Sequence, residues 1–146
     1  MSFDIAGLLD LWSTPYDDRD AALASFGAWY ADPVCINGMS VSLDALAERA
    51  EEVRGSFSEV RREILDVSEQ PTERGSKVAV AFRMGGRHTG VLGTAAGPLA
   101  PTGRELTIRV IDLVTVEDGL ITNLWMCADE LGALSAVGAA TLTVPG

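Results

Sequence analysis

Glu105-Leu106-Thr107-Ile108-Arg109-Val110-Ile111-Asp112-Leu113-Val114-Thr115-Val116-Glu117 is the most regular stretch of the chain. Residues two apart share a face of a strand. One face reads Leu106, Ile108, Val110, Asp112, Val114, Val116; the other reads Glu105, Thr107, Arg109, Ile111, Leu113, Thr115, Glu117. The spacing predicts a half-buried strand that carries one carboxyl group, Asp112, among aliphatic neighbours. Working outward, Asp118-Gly119 is a hairpin signal, and residues 120–128 read as the returning strand. Upstream, residues 77–88 alternate in the same way. Val78, Val80, Phe82, Met84, Gly86 and His88 share one face, opposite Lys77, Ala79, Ala81, Arg83, Gly85 and Arg87. Residues 59–67 predict a further strand with untidy charge alternation, and residues 70–76 a turn. Residues 89–103 predict a long loop rich in glycine and proline.

The front of the chain has a helical period. Ile5, Leu8, Leu9 and Trp12 fall on one stripe of a short helix. A second helix is expected over residues 18–30, with Leu23, Phe26 and Tyr30 apolar and Asp32-Pro33 ending it. Residues 34–41 predict a short strand with Gly38 inside. Ser42 is a cap for a third helix, with Leu43, Leu46, Ala50 and Val53 as its stripe and Gly55 as its stop. A short helix is expected after Asp129. Helices followed by hairpin-linked strands predict an α+β fold: a cone-shaped, curved antiparallel sheet with the N-terminal helices on its concave face. The mouth of such a cone holds one small ligand. One domain is expected over residues 1–146, since 146 residues leave little room for two.

Composition narrows the function. Acidic residues number 21 against 11 Lys plus Arg, a formal charge of −10. That excess argues against nucleic acid and against an anionic membrane surface as partners. Hydrophobic residues make up 47% and mean hydropathy is +0.19. The apolar excess predicts a pocket, a subunit interface, or both, and a homodimer or homotetramer is expected. No apolar run is long enough to span a membrane, and Met1-Ser2-Phe3-Asp4 carries no basic n-region, so a cytoplasmic location is expected. Cys35, Cys127 and the single His form neither a disulfide framework nor a zinc pattern, so neither metal nor cofactor is expected.

The candidate chemistry follows from parity. A carboxyl group on an apolar face is costly to ionise, and burial lifts its pKa toward the range of a general acid/base. Asp112 therefore reads either as that group or as a buried Asp satisfied by hydrogen bonds. His88, at the end of the neighbouring apolar face, reads either as a core histidine or as a second titratable group in the same cavity; a bulge at Gly85-Gly86 reverses its direction. On the returning strand Ile121, Asn123, Trp125, Cys127 and Asp129 share a face; Trp125 reads as wall or core, and Asp129 as a second carboxylate or a helix cap. Both cysteines read as small hydrophobes or as reactive thiols. Phe26, Tyr30, Phe82, Met84, Val110, Trp125 and Cys127 are the candidate walls of a hydrophobic pocket, with Asn37 as an orienting polar group. Trp12, Trp29, Met39 and Phe57 are further wall candidates. The loop at 89–103 reads as a lid, as an ordinary connection, or as part of a dimer interface.

Gly86-Arg87-His88-Thr89-Gly90, Pro101-Thr102-Gly103-Arg104, Asp112, Glu117-Asp118-Gly119-Leu120-Ile121 and Trp125, in that order, resemble the SnoaL-like polyketide cyclases of the nuclear-transport-factor-2-like group. Tyr30-Ala31-Asp32-Pro33 resembles the start of that fold. The resemblance implies a cystatin-like α+β barrel and a cofactor-free enzyme that closes a ring of an aromatic polyketide by an intramolecular aldol reaction. It implies acid/base work for Asp112, an assisting role for His88, and a hydrophobic polycyclic substrate. Relatives in this group also hydrolyse epoxides, isomerise steroids, hydroxylate, or only bind. Two departures stand out. The stretch between His88 and Pro101 is longer than the common pattern, and Val34-Cys35-Ile36-Asn37 lacks the polar cluster many relatives carry there.

Overall fold

A computed structural model describes residues 2–146, so Met1 of the expected domain lies outside the described residues. The elements in chain order are α1 (Ile5–Ser13), α2 (Arg19–Gly27), β1 (Tyr30–Ile36), β2 (Met39–Val41), α3 (Leu43–Ser56), β3 (Arg61–Thr72), β4 (Gly75–Arg87), β5 (Leu92–Thr94), β6 (Gly97–Leu99), β7 (Glu105–Glu117), β8 (Leu120–Ala128) and α4 (Glu130–Ala136). This is a mixed α+β fold with a curved, mainly antiparallel sheet and N-terminal helices. The six main strands run in the order β2-β1-β8-β7-β4-β3, with β5-β6 as a separate hairpin. The β1–β8 pairing is parallel, against the expectation of antiparallel strands alone.

Each helix starts on a side-chain cap. Asp4, Asp18, Ser42 and Asp129 accept from the backbone N–H of Gly7, Ala21, Ala45 and Gly132. Leu8, Leu9, Phe26, Leu46 and Ala50 then pack against Val78, Val80, Phe82, Leu106, Val110 and Val114 of the sheet in one core.

Some boundaries differ from the sequence reading. The second helix ends at Gly27, and Tyr30 opens β1 instead of closing a helix. The expected single strand over residues 34–41 is a hairpin. Its turn is Asn37-Gly38, both at positive φ (50° and 82°), and it repeats the geometry of Asp118-Gly119 (50° and 84°). Both pairs supply the left-handed conformations that a tight two-residue hairpin needs. The third helix runs through Gly55 to Ser56, and β3 extends to Thr72 into the expected turn. The long loop is not featureless, since β5 and β6 form a small hairpin inside it.

Parity on β7 is as the alternation predicts: Leu106, Ile108, Val110, Asp112, Val114 and Val116 are buried in one unbroken series. On β8 it is not. Thr115 pairs with Asn123 but Val116 pairs with Ile121, so Thr122 is an extra residue on β8. A bulge of this kind reverses every later side chain. Leu124, Met126 and Ala128 turn inward, opposite Val114, Asp112 and Val110. Trp125 and Cys127 therefore face outward, and Trp125 is 53% exposed. Together with Ile111 and Leu113, which pair with Cys127 and Trp125, they form an exposed apolar strip on the outer face.

Candidate active site

The inner face of the sheet, the helices and the β5–β6 hairpin enclose a cavity of about 320 Å³. Leu8, Leu9 and Trp12 of α1, Leu46 and Val53 of α3, and Ala133 and Leu134 of α4 form one side. Phe82, Met84, Leu106, Ile108, Val110, Leu124 and Met126 form the other. The polar atoms in this wall are few and come from Tyr30, Arg49, Arg62, Thr94, Asp112 and Glu130. An apolar pocket with a handful of convergent polar groups is the usual form of a small-molecule site.

Asp112 is strongly perturbed. β7 holds it between Val80 of β4 and Met126 of β8. It is 9% exposed, and its Oδ1 is buried without a hydrogen-bond partner among the described residues. Burial alone pushes its pKa from 3.8 up to about 7. No cation or backbone N–H pulls it back. The carboxyl group is therefore poised to exchange a proton near neutral pH, and it faces the cavity.

Tyr30 sits at the start of β1, where the chain leaves α2. Its Oη accepts a hydrogen bond from Trp12 Nε1 at 2.9 Å. That fixes the ring and leaves the phenolic hydrogen free to donate. Burial, and the charge of Asp112 with it, raise the Tyr30 pKa despite the Trp12 hydrogen bond, so the phenol keeps its proton. Arg62 enters the same wall from β3 and donates to Ser13 Oγ. Burial, helped by the positive charge of Arg54, lowers its pKa to about 10, which leaves it cationic at neutral pH.

Of the residues expected from sequence, Tyr30, Phe82, Met84, Val110 and Asp112 line this cavity, and so does Trp12. The others are placed elsewhere. His88 is fully buried and its parity is inward, because the β4–β7 register continues unshifted through Gly85-Gly86 to Arg87. It lies one step past the strand end, beyond the cavity, against Phe57. Its Nδ1 accepts from the backbone N–H of Thr102 at 3.1 Å, so the ring ties down the 102–104 segment instead of facing the carboxyl group. Phe26 is core, packed on Trp12 and stacked with Tyr30 behind the wall. Trp125 and Cys127 point outward because of the β8 bulge. Asn37 is a turn residue whose Oδ1 accepts from Met126 N–H at 2.8 Å on the exterior. Trp29, Met39 and Phe57 do not line the cavity either. Asp129 caps α4 and pairs with Arg109 at 2.8 Å, which holds its carboxyl group below the usual range. Among the described residues no three His, Cys, Asp or Glu side chains gather to hold a metal ion.

One residue of the wall escaped the sequence reading. Arg62 was hidden in a strand charged on both faces. Its pairing with Met84, an inward position, is the signal that finds it. The β5–β6 hairpin reaches the cavity mouth through Leu92, Gly93 and Thr94. It is held there by Arg49 donating to Gly93 O and by Ala95 N–H donating to Glu130 Oε2 at 2.9 Å.

Comparison with known proteins agrees on the architecture. The family described as SnoaL-like polyketide cyclase matches residues 9–137. No curated protein matches the chain. Among solved structures, TsrD of Streptomyces laurentii is 17% identical with a TM-score of 0.68, over 95% of this chain and 100% of its own. IdmH of Streptomyces antibioticus, a proposed polyketide cyclase, is 18% identical with a TM-score of 0.68, over 92% and 95%. AclR of Streptomyces galilaeus, a proposed hydroxylase, is 19% identical with a TM-score of 0.63, over 93% and 96%. At these identities the likeness is one of fold. No helix of the described residues is long and apolar enough to cross a membrane.

Proposed function

We propose, from the premise that this chain belongs to the SnoaL-like polyketide cyclase family, that it closes a ring of an aromatic polyketide by an intramolecular aldol reaction. Family membership supports a cyclase-type activity. The aldol step and its assignment to Asp112 are the reading offered here. One observation carries it: the carboxyl group of Asp112 is buried, unpartnered and turned into an apolar cavity. As a carboxylate, Asp112 removes an acidic C–H proton beside a substrate carbonyl. The resulting enolate carbon attacks a second carbonyl, forming the C–C bond of the new ring. The alkoxide left on that carbonyl takes the proton back from Asp112, and no atom is gained or lost. The Tyr30 O–H, free to donate, is suited to steady the oxyanion.

Conjugation in an aromatic polyketide spreads the enolate charge, so the protein's task reduces to orientation and one matched proton carrier. Orientation contributes on the order of 7–11 kcal/mol and a positioned acid/base ~10²–10⁴-fold. A hydrolase needs several polar groups that hold water against the carboxylate, and the wall of this cavity is mainly apolar. A cyclisation therefore fits the site better than hydrolysis. The test is α-hydrogen exchange. A naphthalene bearing a 1,3-diketone side chain, incubated in D₂O, is expected to exchange faster with the protein and to lose that acceleration with Asp112→Asn. Equal exchange in the two proteins overturns the reading.

The reading includes a homodimer or homotetramer built on the outer strip of Ile111, Leu113 and Trp125. Light scattering that reads a monomer at micromolar concentration overturns that part.

A further inference from the structure

Arg62 is a cavity-lining cation without an ion-pair partner among the described residues. Arg62 donates to Ser13 Oγ, a neutral acceptor, and pairs with no carboxylate among the described residues. Six other arginines, Arg19, Arg49, Arg61, Arg74, Arg83 and Arg109, all have acidic partners. Arg54 adds to the imbalance. Its guanidinium lies 5.8 Å from the centre of the Tyr16 ring, and its Nη1 is buried without a partner. Its charge is felt at Arg62. In a chain with 21 acidic residues the charge of Asp10 reaches Arg62, yet no carboxylate lies within ion-pair distance of it among the described residues. Burying a guanidinium without a counter-ion is costly, and a ligand anion removes that cost.

The placement gives this cation a use. Arg62 pairs with Met84, while Asp112 pairs with Val80, four residues away on β4 and one strand to its other side. Two strand spacings and four residue rises separate the two backbone positions by roughly 15 Å. Tyr30 lies between them in the electrostatic sense, since the charges of both groups reach it. The cavity thus carries a proton carrier and a cation that enter from strands on either side of β4, in a wall that is otherwise mainly apolar.

We propose that Arg62 binds a carboxylate of the substrate, so that the substrate class is a fused-ring polyketide acid and not its ester. A guanidinium fork matches a carboxylate in two parallel hydrogen bonds, which fixes the far end of the molecule while the reacting end lies against Asp112. This deepens the cyclase reading and rests on it for the identity of the reacting end alone.

Anthracene-2-carboxylate and its methyl ester, titrated by fluorescence, are the probes. Wild-type protein is expected to hold the acid roughly ten- to a hundredfold more tightly than the ester, the range of a charge-assisted hydrogen bond. Arg62→Met is expected to erase that preference and leave ester affinity unchanged, and Arg62→Lys to keep part of it. Thermal melting reports whether Arg62→Met folds; if it does not, the wild-type preference together with Arg62→Lys decides. Equal binding of acid and ester by wild type, failure of both to bind, an acid preference that survives Arg62→Met, or an equal fall for both probes overturns the proposal. Asp112→Asn separates the two claims, because it is expected to lose α-hydrogen exchange and retain the acid preference. An acid preference in a wild-type protein without exchange sinks the cyclase reading and leaves the anion site standing.

Discussion

Asp112 and His88 are both buried, both titratable, and both reached from the inner face of the long strands, yet they occupy opposite kinds of surroundings. Asp112 has aliphatic neighbours on its face of β7, an unpartnered oxygen and open cavity in front of it. His88 has a ring tilted against Phe57, a backbone N–H on Nδ1 and no cavity in front of it. Each keeps one buried atom without a hydrogen-bond partner among the described residues, Asp112 Oδ1 and His88 Nε2; what differs is whether a cavity lies in front of the group. A carboxyl group that faces a cavity stays open to a ligand, whereas an imidazole walled in by packing and holding a backbone N–H serves the scaffold.

The comparison breaks most sharply in activity. Asp112→Asn is expected to fold and to lose ~10²–10⁴-fold in α-hydrogen exchange, read by NMR in D₂O. His88→Ala is expected to keep its exchange rate within about threefold, because the ring does not reach the cavity. A large loss of exchange in a folded His88→Ala protein would falsify the scaffold assignment.

Stability inverts the ranking and sharpens the contrast. Between pH 4 and pH 7 folded Asp112 holds a proton that the unfolded chain has released, since its pKa rises from 3.8 to about 7. Its contribution to stability therefore falls as pH rises through that window, by up to ~4 kcal/mol, and stays low above it. Asp112→Asn is expected to melt above wild type at pH 8, with the gap closing by pH 5. The same ionisation makes exchange activity rise with pH and level off above about 7. His88→Ala, by contrast, is expected to cost ~2–4 kcal/mol at pH 7, from a lost hydrogen bond and a void beside Phe57. Urea titrations across pH check both.

The smallest effect is expected on the outer strip. Ile111→Glu leaves the inner face untouched, and β7 tolerates it because Ile111 is already 60% exposed. Stability of the protomer is expected to change by less than ~0.5 kcal/mol, while light scattering reports a smaller particle.

How far the sequence speaks follows from where periodicity survives. β7 and β4 hold their register without interruption over thirteen pairs, so a two-residue period carries Val80, Phe82, Met84, Val110 and Asp112 straight to the cavity. On β8 one extra residue, Thr122, inverts the faces, and no local propensity marks that insertion. Trp125 and Cys127 were misdirected for this reason alone. β3 fails likewise: its register slips between Ile64 and Asp66, so Val67, which simple alternation sets opposite Arg62 and Ile64, comes round to their face against Val80. Asn37-Gly38 is different, because the residues carry the turn signal, yet residues 34–41 read as one short strand with Gly38 inside. Tyr30 was placed on a helix and still reaches the cavity, since the last turn of α2 and the first residue of β1 point to the same core.

The parallel pairing of β1 with β8 has a consequence for biosynthesis. Asn37 and Met126, joined by a hydrogen bond, are 89 residues apart in the chain. On the ribosome, the front segment emerges long before the strand that completes its wall. Until translation passes residue 128, the apolar lining of the pocket has no lid of its own chain, and closing so distant a contact is slow. The nascent polypeptide therefore carries its greasiest surface uncovered through most of its synthesis, which makes this seam the step at which chaperone dependence should concentrate.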